Sequence, residues 1–230
     1  MAAGDVGSRF AGSEVRGFGN AWIQRVRRCR NLNVVRRPQS RKMSAMHERR
    51  WTRQEYDRMT EAGVLTENDR VELIGREILT VTPQKSPHAT AVSLANEALR
   101  AVLAPSMHVR SQLPLAMGDD SEPEPDVAVI RGSIRDYRDA HPRSALLIIE
   151  VSDSTLAFDR RVKGSLYARE RVAEYWIINL VESVVEIYRD PTEDSSARFG
   201  WSYARPNRVT RTESIPLSFG GVVSAADLLP

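Results

Sequence analysis

The apolar run LLII, residues 146–149, constrains the fold more than any other feature of the chain. A short apolar run of this kind is typical of a strand that is buried on both faces of a sheet. The run leads directly into a carboxylate, Glu150, and Lys163 follows after a polar loop. A charge at the end of a buried strand is costly unless it is paired or binds an ion. The sequence therefore predicts a covered sheet with a polar site near Glu150.

The segments around this strand predict an α/β arrangement. Thr52 and Glu55 have the spacing of a capping box for a helix that ends at Gly63. VELIGREILTV is typical of a hairpin that turns at Gly75 and Arg76. Ser86 is expected to cap the next helix, with Pro87 at its first position.

The rest of the chain alternates between strand and helix patterns. HVRSQLPLAM, PDVAVI, ALLIIEV, EYWIINL and VVEIYRD are predicted strands. DRRVKGSLYARER is a predicted helix in which Asp159 and Lys163 are four residues apart. The C-terminal SFGGVVSAADLLP allows a short strand and a helical turn. This order favours a mixed sheet with helices on its faces.

Charge divides the chain into two parts. Residues 1–42 hold ten basic residues and two acidic ones, a net charge of +8, which leaves −5 for residues 43–230 of a chain with +3 overall. Residues 1–42 lack periodicity, and we expect a disordered basic tail that is dispensable for folding. A transit peptide, a nucleic-acid-binding arm, or a start of translation at Met43 or Met46 are the alternatives for this tail.

The sequence gives little indication of secretion or of a membrane span. The single cysteine, Cys29, excludes an intrachain disulfide. The apolar runs are too short to cross a bilayer, and no apolar segment of a secretory signal follows the first residues. A cytoplasmic protein without a membrane partner is the expectation.

Asp126, Glu150 and Lys163 are the candidate active-site residues. If the strands that carry the two carboxylates pair antiparallel, the start of one lies beside the end of the other and both can share a face. Two neighbouring carboxylates suit Mg²⁺ or Mn²⁺, and a cation held there serves phosphodiester hydrolysis. The alternative is structural: Asp126 caps a strand, Glu150 is a strand-end charge, and Lys163 pairs with Asp159.

The same residues carry a resemblance to a known family. Pro125-Asp126, Glu150 and Lys163 resemble the PD-(D/E)XK nuclease signature. The chain from Trp51 onward is similar to the Uma-type restriction endonuclease family, on the stretches RVELIGREIL, SPH, SEPEPDVAVI, LLIIEVSDSTLAFDRRVKGSLYARERVAEYWIINL and VVEIYRDP. The resemblance implies a restriction-endonuclease-like α/β domain over residues 43–230, a DNA substrate, and catalysis with Mg²⁺ or Mn²⁺ bound by Asp126 and Glu150.

The resemblance also bears on other positions. The superfamily signature has a lysine two residues after the second acid, where this chain has Ser152, and the family pattern assigns that role to the helix lysine, here Lys163. Glu72 matches a family glutamate and is a further catalytic candidate, with a surface charge as the alternative. His88 matches a family histidine of undefined role.

Three aromatic residues also match the family, but their positions near short strands are more typical of the core; they are Tyr167, Tyr175 and Trp176.

Three functions stay open at this point. The favoured one is a metal-dependent endonuclease acting on DNA, for which double-strand cleavage would favour a homodimer. The others are a nucleic-acid- or partner-binding module of the same fold with little or no cleavage, and a hydrolase of a small phosphorylated substrate.

Overall fold

The structure is a computed structural model, and it describes residues 48–66 and 68–230. The expectations for the basic tail, residues 1–42, lie outside the described residues.

Helix α1 (Arg53–Glu61) starts at the predicted capping box, in which Thr52 Oγ1 accepts from Glu55 N at 3.2 Å and Glu55 Oε2 accepts from Thr52 N at 3.0 Å. Gly63 follows the helix with a positive φ of 69°, the conformation that favours glycine after a helix end.

A two-residue hairpin follows, as the sequence predicts. Strand β1 (Val71–Ile74) pairs antiparallel with β2 (Glu77–Thr80). Gly75 and Arg76 both have positive φ values, 56° and 73°. Two positive φ values give the turn the twist that suits a tight hairpin.

Helix α2 (Ser86–Val102) begins one position earlier than predicted. The Lys85 carbonyl accepts the first intrahelical hydrogen bond, from Ala89 N at 3.1 Å, so Lys85 and not Ser86 is the N-cap. Pro87 lies in the first turn, where its missing N–H costs nothing.

Ten further strands and several short helical segments complete the part of the chain that the structure describes. The strands are β3 (Met107–Arg110), β4 (Val127–Arg131), β5 (Leu147–Ser152), β6 (Glu174–Asn179), β7 (Val184–Arg189), β8 (Pro191–Glu193), β9 (Trp201–Tyr203), β10 (Asn207–Val209), β11 (Ser214–Pro216) and β12 (Val222–Ser224). The 3₁₀ turns are Ile134–Tyr137 and Ala225–Asp227. The strand predicted over HVRSQLPLAM is shorter than expected, because only its first three residues, together with the preceding Met107, pair with β4.

The main sheet has six strands in the order β10-β7-β6-β5-β4-β3. The pair β5 and β6 is parallel, and the other neighbours are antiparallel. The mixed sheet expected from the sequence is confirmed. All six residues of β5 are buried, which is the burial that the apolar run predicts.

The two faces of the sheet contribute to two separate cores. Leu147, Ile149 and Val151 pack on one face, with α2 and the C-terminal residues. Ile148 packs on the opposite face, against Leu166 and its neighbours. Since side chains alternate along a strand, Glu150 lies on the same face as Ile148.

The connection from β5 to β6 covers that second face. It contains α3 (Leu156–Phe158), a π-helical turn (Asp159–Lys163) and α4 (Gly164–Arg169). The helix predicted here is therefore present but interrupted by a wider turn. Among the described residues, no helix combines the length and apolar character that a membrane crossing requires.

Candidate active site

Asp126 and Glu150 lie next to each other across two central strands. Val127 of β4 pairs with Ile149 of β5 in an antiparallel register, which sets Asp126 opposite Glu150. Both side chains share the face of Ala128 and Ile148, because the alternation along the two strands is the same. Asp126 is 8% exposed and Glu150 is 3% exposed. The sequence argument for juxtaposed carboxylates is thus matched by the strand pairing.

Lys163 meets these carboxylates from the helical connection above the sheet. Its Nζ lies 3.0 Å from Glu150 Oε1 and 3.3 Å from Glu72 Oε2. The alternative pairing with Asp159 is wrong, because Asp159 accepts hydrogen bonds from Ser152 and Thr155, each at 2.6 Å.

Lys163 and Asp159 lie at the two ends of a π-helical turn. Gly164 N donates to Asp159 O, a hydrogen bond that spans five residues instead of four. Lys163 contacts Glu150 and Glu72, whereas Asp159 accepts from the hydroxyl groups of Ser152 and Thr155.

Glu72 reaches the same place from the first hairpin. It is 5% exposed, and its Oε1 is 3.4 Å from Lys163 Nζ. Within the described residues, its Oε2 is buried without a hydrogen bond of acceptable geometry. Two carboxylates, those of Glu150 and Glu72, thus contact one ammonium group, and the surface-charge alternative for Glu72 does not fit its burial.

Tyr167 has a contact that the sequence reasoning missed. Its ring is fully buried in the core, as expected, but its hydroxyl donates to Glu150 Oε1 at 2.6 Å. The spacing of Lys163 and Tyr167, four residues apart on a predicted helix, is the signal that would have linked them. Tyr175 and Trp176 are core residues, whose polar atoms donate to the Asp159 carbonyl and to Glu174.

Asp126 is held by donors on several sides. Its Oδ2 accepts from Val151 N at 2.8 Å and lies 3.2 Å from His88 Nε2. Its Oδ1 receives only two longer contacts of 3.5 Å, from the side-chain amides of Gln84 and Gln112. One carboxylate oxygen is therefore bound by the protein, and the other is weakly bound and available to a ligand.

Two features of these neighbours are typical of a functional site. His88 Nδ1 is buried without a hydrogen-bond partner among the described residues. Gln112 has a positive φ of 52°, a conformation that costs a residue other than glycine free energy. The sequence had identified His88 but had not identified either glutamine.

Burial and charge shift the pKa values of the cluster. Burial raises the pKa of Glu150 to about 8, against the opposing effect of Lys163 and with help from Asp126. Burial alone would lower the pKa of Lys163, but the carboxylates of Glu150 and Glu72 outweigh it and raise the pKa. The ammonium stays charged, and the cluster has more carboxylates than it can pair.

The cluster lies in a cleft of about 940 Å³. The hairpin and the segment before α2 form part of its lining, and the residues after β5 form another part. Lys85 Nζ lies 3.4 Å from Asp153 Oδ2 between these two groups of residues. Seven carboxylates line the cleft: Asp69, Glu72, Glu124, Asp126, Glu150, Asp153 and Asp159.

The donor set fits a hard divalent cation, which prefers carboxylate oxygens and water. Asp126 Oδ1 and Glu150 would supply the protein ligands, and the only contacts to Asp126 Oδ1 from the described residues are the two of 3.5 Å from Gln84 and Gln112. Across residues 48–66 and 68–230, no group of three or more His, Cys, Asp or Glu side chains is arranged to hold a metal ion. A cation at this site would therefore need water or substrate oxygens to complete its coordination.

Comparisons with known proteins agree with this architecture. A crystal structure titled "putative nuclease belonging to DUF820", from Anabaena variabilis ATCC 29413, matches with a TM-score of 0.55 and 18% identity, over 73% of this chain and 94% of that one. The mixed sheet with flanking helices is therefore similar to a nuclease fold. No curated protein matches the sequence at a significant level.

A family model identifies the chain more closely. The model Uma2, described as "Putative restriction endonuclease", matches residues 53–224. The match covers most of the chain, and the chain belongs to the Uma2 family. The resemblance found in the sequence is confirmed, and the family defines the chain as restriction-endonuclease-like.

Proposed function

We propose that the protein is a metal-dependent endonuclease that hydrolyses DNA phosphodiester bonds with Mg²⁺ or Mn²⁺. The observation that carries the proposal is the contact of Lys163 Nζ with Glu150 Oε1 at 3.0 Å, directly beside Asp126. A buried cluster of two adjacent carboxylates and a lysine, in a cleft, combines the groups that phosphodiester hydrolysis requires.

Asp126 and Glu150 are the residues that would hold the cation. When bound, a divalent cation polarises a phosphoryl oxygen and lowers the pKa of water. Lys163 places a permanent positive charge where negative charge on the phosphate would grow. His88 and Val151 N fix the Asp126 carboxylate, and Tyr167 fixes Glu150, so that both ligands keep their orientation.

A binding module with little or no cleavage is the second candidate. The net charge of −5 over residues 43–230 favours it, because proteins that bind DNA tightly usually carry a basic surface. The buried lysine between carboxylates favours the nuclease, since a surface that only binds DNA does not require this arrangement.

Cleavage of supercoiled plasmid separates the two candidates. The protein should nick or linearise the plasmid with Mg²⁺ or Mn²⁺ and should stop in a chelator. Asp126→Asn and Glu72→Gln should lose activity, whereas Glu77→Gln, a matched change in the same hairpin at a glutamate that pairs with Arg198, should retain it. Plasmid binding without metal-dependent cutting would establish the binding module instead. Mostly nicked product would indicate one strand cut per encounter, and concentration-dependent linear product would favour a homodimer.

A further inference from the structure

The candidate catalytic groups are deeply placed for an enzyme that acts on a large polymer. Glu150 is 3% exposed, Lys163 is 7% exposed and Asp126 is 8% exposed. A phosphate can reach a cation held by these carboxylates only if the DNA backbone enters the cleft. The cleft of about 940 Å³ falls within the roughly 300–1,000 Å³ of small-molecule sites.

Size argues against a continuous duplex in this cleft. A volume of about 940 Å³ is typical of sites for small molecules, and it accommodates a short stretch of one strand more readily than two paired backbones. One extended strand is a much slimmer object, since it carries no paired partner. The cleft can therefore accept a strand that is separated from its complement.

The charge of the side chains that line the cleft also disfavours a continuous duplex. Among the described residues that line the cleft, seven carboxylates face three lysine and arginine side chains, those of Arg70, Lys85 and Lys163. Duplex DNA carries one negative charge per roughly 1.7 Å of axis, and a single strand carries half that density. Proteins that bind duplex DNA offset its charge with lysine and arginine, which are outnumbered here. The cleft thus disfavours the duplex more than the single strand.

An aromatic side chain gives the cleft a surface for a nucleobase. Phe158 lines the cleft at the end of α3, directly before the turn that carries Lys163. It is half-buried, and it is absent from the described side chains that build or pack against the two cores. The faces of paired bases are covered by stacking, so only an unpaired or extruded base can lie against such a ring.

We infer that the substrate is a DNA strand with at least one unpaired nucleotide at the cut site, whose base stacks on Phe158. This inference rests on the proposed nuclease function and narrows its substrate class. Strand ends, flaps, bulges and single-stranded DNA qualify, and a continuous duplex does not.

The test compares three labelled DNAs of one sequence, with Mg²⁺ and the full chain: a single strand, a duplex with an unpaired flap, and a complete duplex. We expect kcat/KM for the single strand and the flap to exceed that for the duplex at least tenfold. Equal or faster cleavage of the duplex would overturn the inference and leave the nuclease proposal intact. Absence of cleavage of all three DNAs would refute the nuclease proposal, and the inference with it.

Substitution of the aromatic ring tests the base contact. Phe158→Ala should lower kcat/KM on the single strand about tenfold, mainly through KM, because one stacking contact is lost. Phe158→Trp should restore it, and Tyr137→Ala, an aromatic change outside the cleft, should leave it unchanged. A cooperative melting transition above the assay temperature establishes that each variant is folded. Unchanged kcat/KM in a folded Phe158→Ala variant would refute stacking on this ring.

Discussion

Replacement of Glu150 by glutamine should change stability in a direction that depends on pH. In a chelator, burial raises the pKa of Glu150 from 4.5 to about 8. Because the pKa of Glu150 is higher in the folded than in the unfolded state, protonation of this side chain stabilises the folded state. The stabilisation is complete below pH 4.5 and is lost as the pH rises to about 8. Glutamine resembles the protonated side chain and does not titrate. Glu150→Gln should therefore become more stable than wild type as pH rises.

The size of this effect follows from the shift. Each pKa unit corresponds to about 1.4 kcal/mol, so the difference should be close to zero at pH 4.5, about 3 kcal/mol at pH 7 and about 5 kcal/mol above pH 8. Mg²⁺ at about 100 times its Kd should add about 2.7 kcal/mol to wild type alone. The two proteins should thus approach each other in stability when the cation is present.

Denaturant unfolding between pH 5 and 9, with chelator and with Mg²⁺, measures both effects. Glu77→Gln is the control, since Glu77 forms an exposed ion pair with Arg198 and should show little pH-dependent change. A loss of about 3–5 kcal/mol for Glu150→Gln in chelator at every pH would refute the reasoning. It would mean that Glu150 is the ionised partner of Lys163 in a structural ion pair.

Further predictions concern the neighbours of this carboxylate. Lys163→Met should lower kcat about 100-fold or more with little change in Mn²⁺ affinity, because the ammonium stabilises charge without ligating the ion; single-turnover kinetics and metal titration measure the two quantities. Tyr167→Phe should cost about 1 kcal/mol in denaturant unfolding, since it removes a buried hydrogen bond to Glu150. His88→Ala should weaken Mn²⁺ binding about 10-fold or more by calorimetry, because the carboxylate it contacts loses its orientation; unchanged affinity would contradict this. Burial raises the pKa of Glu122 to about 7, so Glu122→Gln should gain up to about 3 kcal/mol over wild type as pH rises from 4.5 to 7, and a pH-independent difference would contradict the shift.

The central strands and the hairpin were predictable because local pattern determines them. The apolar run before Glu150 identifies a strand buried on both faces, and Gly75 permits the hairpin turn. The relation of Asp126 to Glu150 also follows from sequence once the strands are taken as antiparallel. For the strand and the hairpin the signal lies within a few residues, whereas the relation of Asp126 to Glu150 also required the pairing of two separate strands.

Contacts between distant segments were harder to predict. The π-helical turn at Asp159–Lys163 leaves no clear mark in the residue pattern, and the contact of Lys163 with Glu72 joins residues that lie far apart in the chain. Gln84 and Gln112 reach Asp126 from segments without regular secondary structure. Tyr167 was assigned to the core because aromatic residues near short strands are typical of the core, and its hydroxyl bond to Glu150 depends on tertiary packing.

Binding of Mn²⁺ to the full chain tests the central claim most directly. Electron paramagnetic resonance counts free and bound Mn²⁺ without any assumption about substrate. Wild type should bind the ion with saturable stoichiometry, and Asp126→Asn should lose this binding. Asp119→Asn, a matched change at an exposed position nearby in the chain, should bind as wild type does. Equal Mn²⁺ binding by wild type and Asp126→Asn would contradict the assignment of the metal site to Asp126 and Glu150.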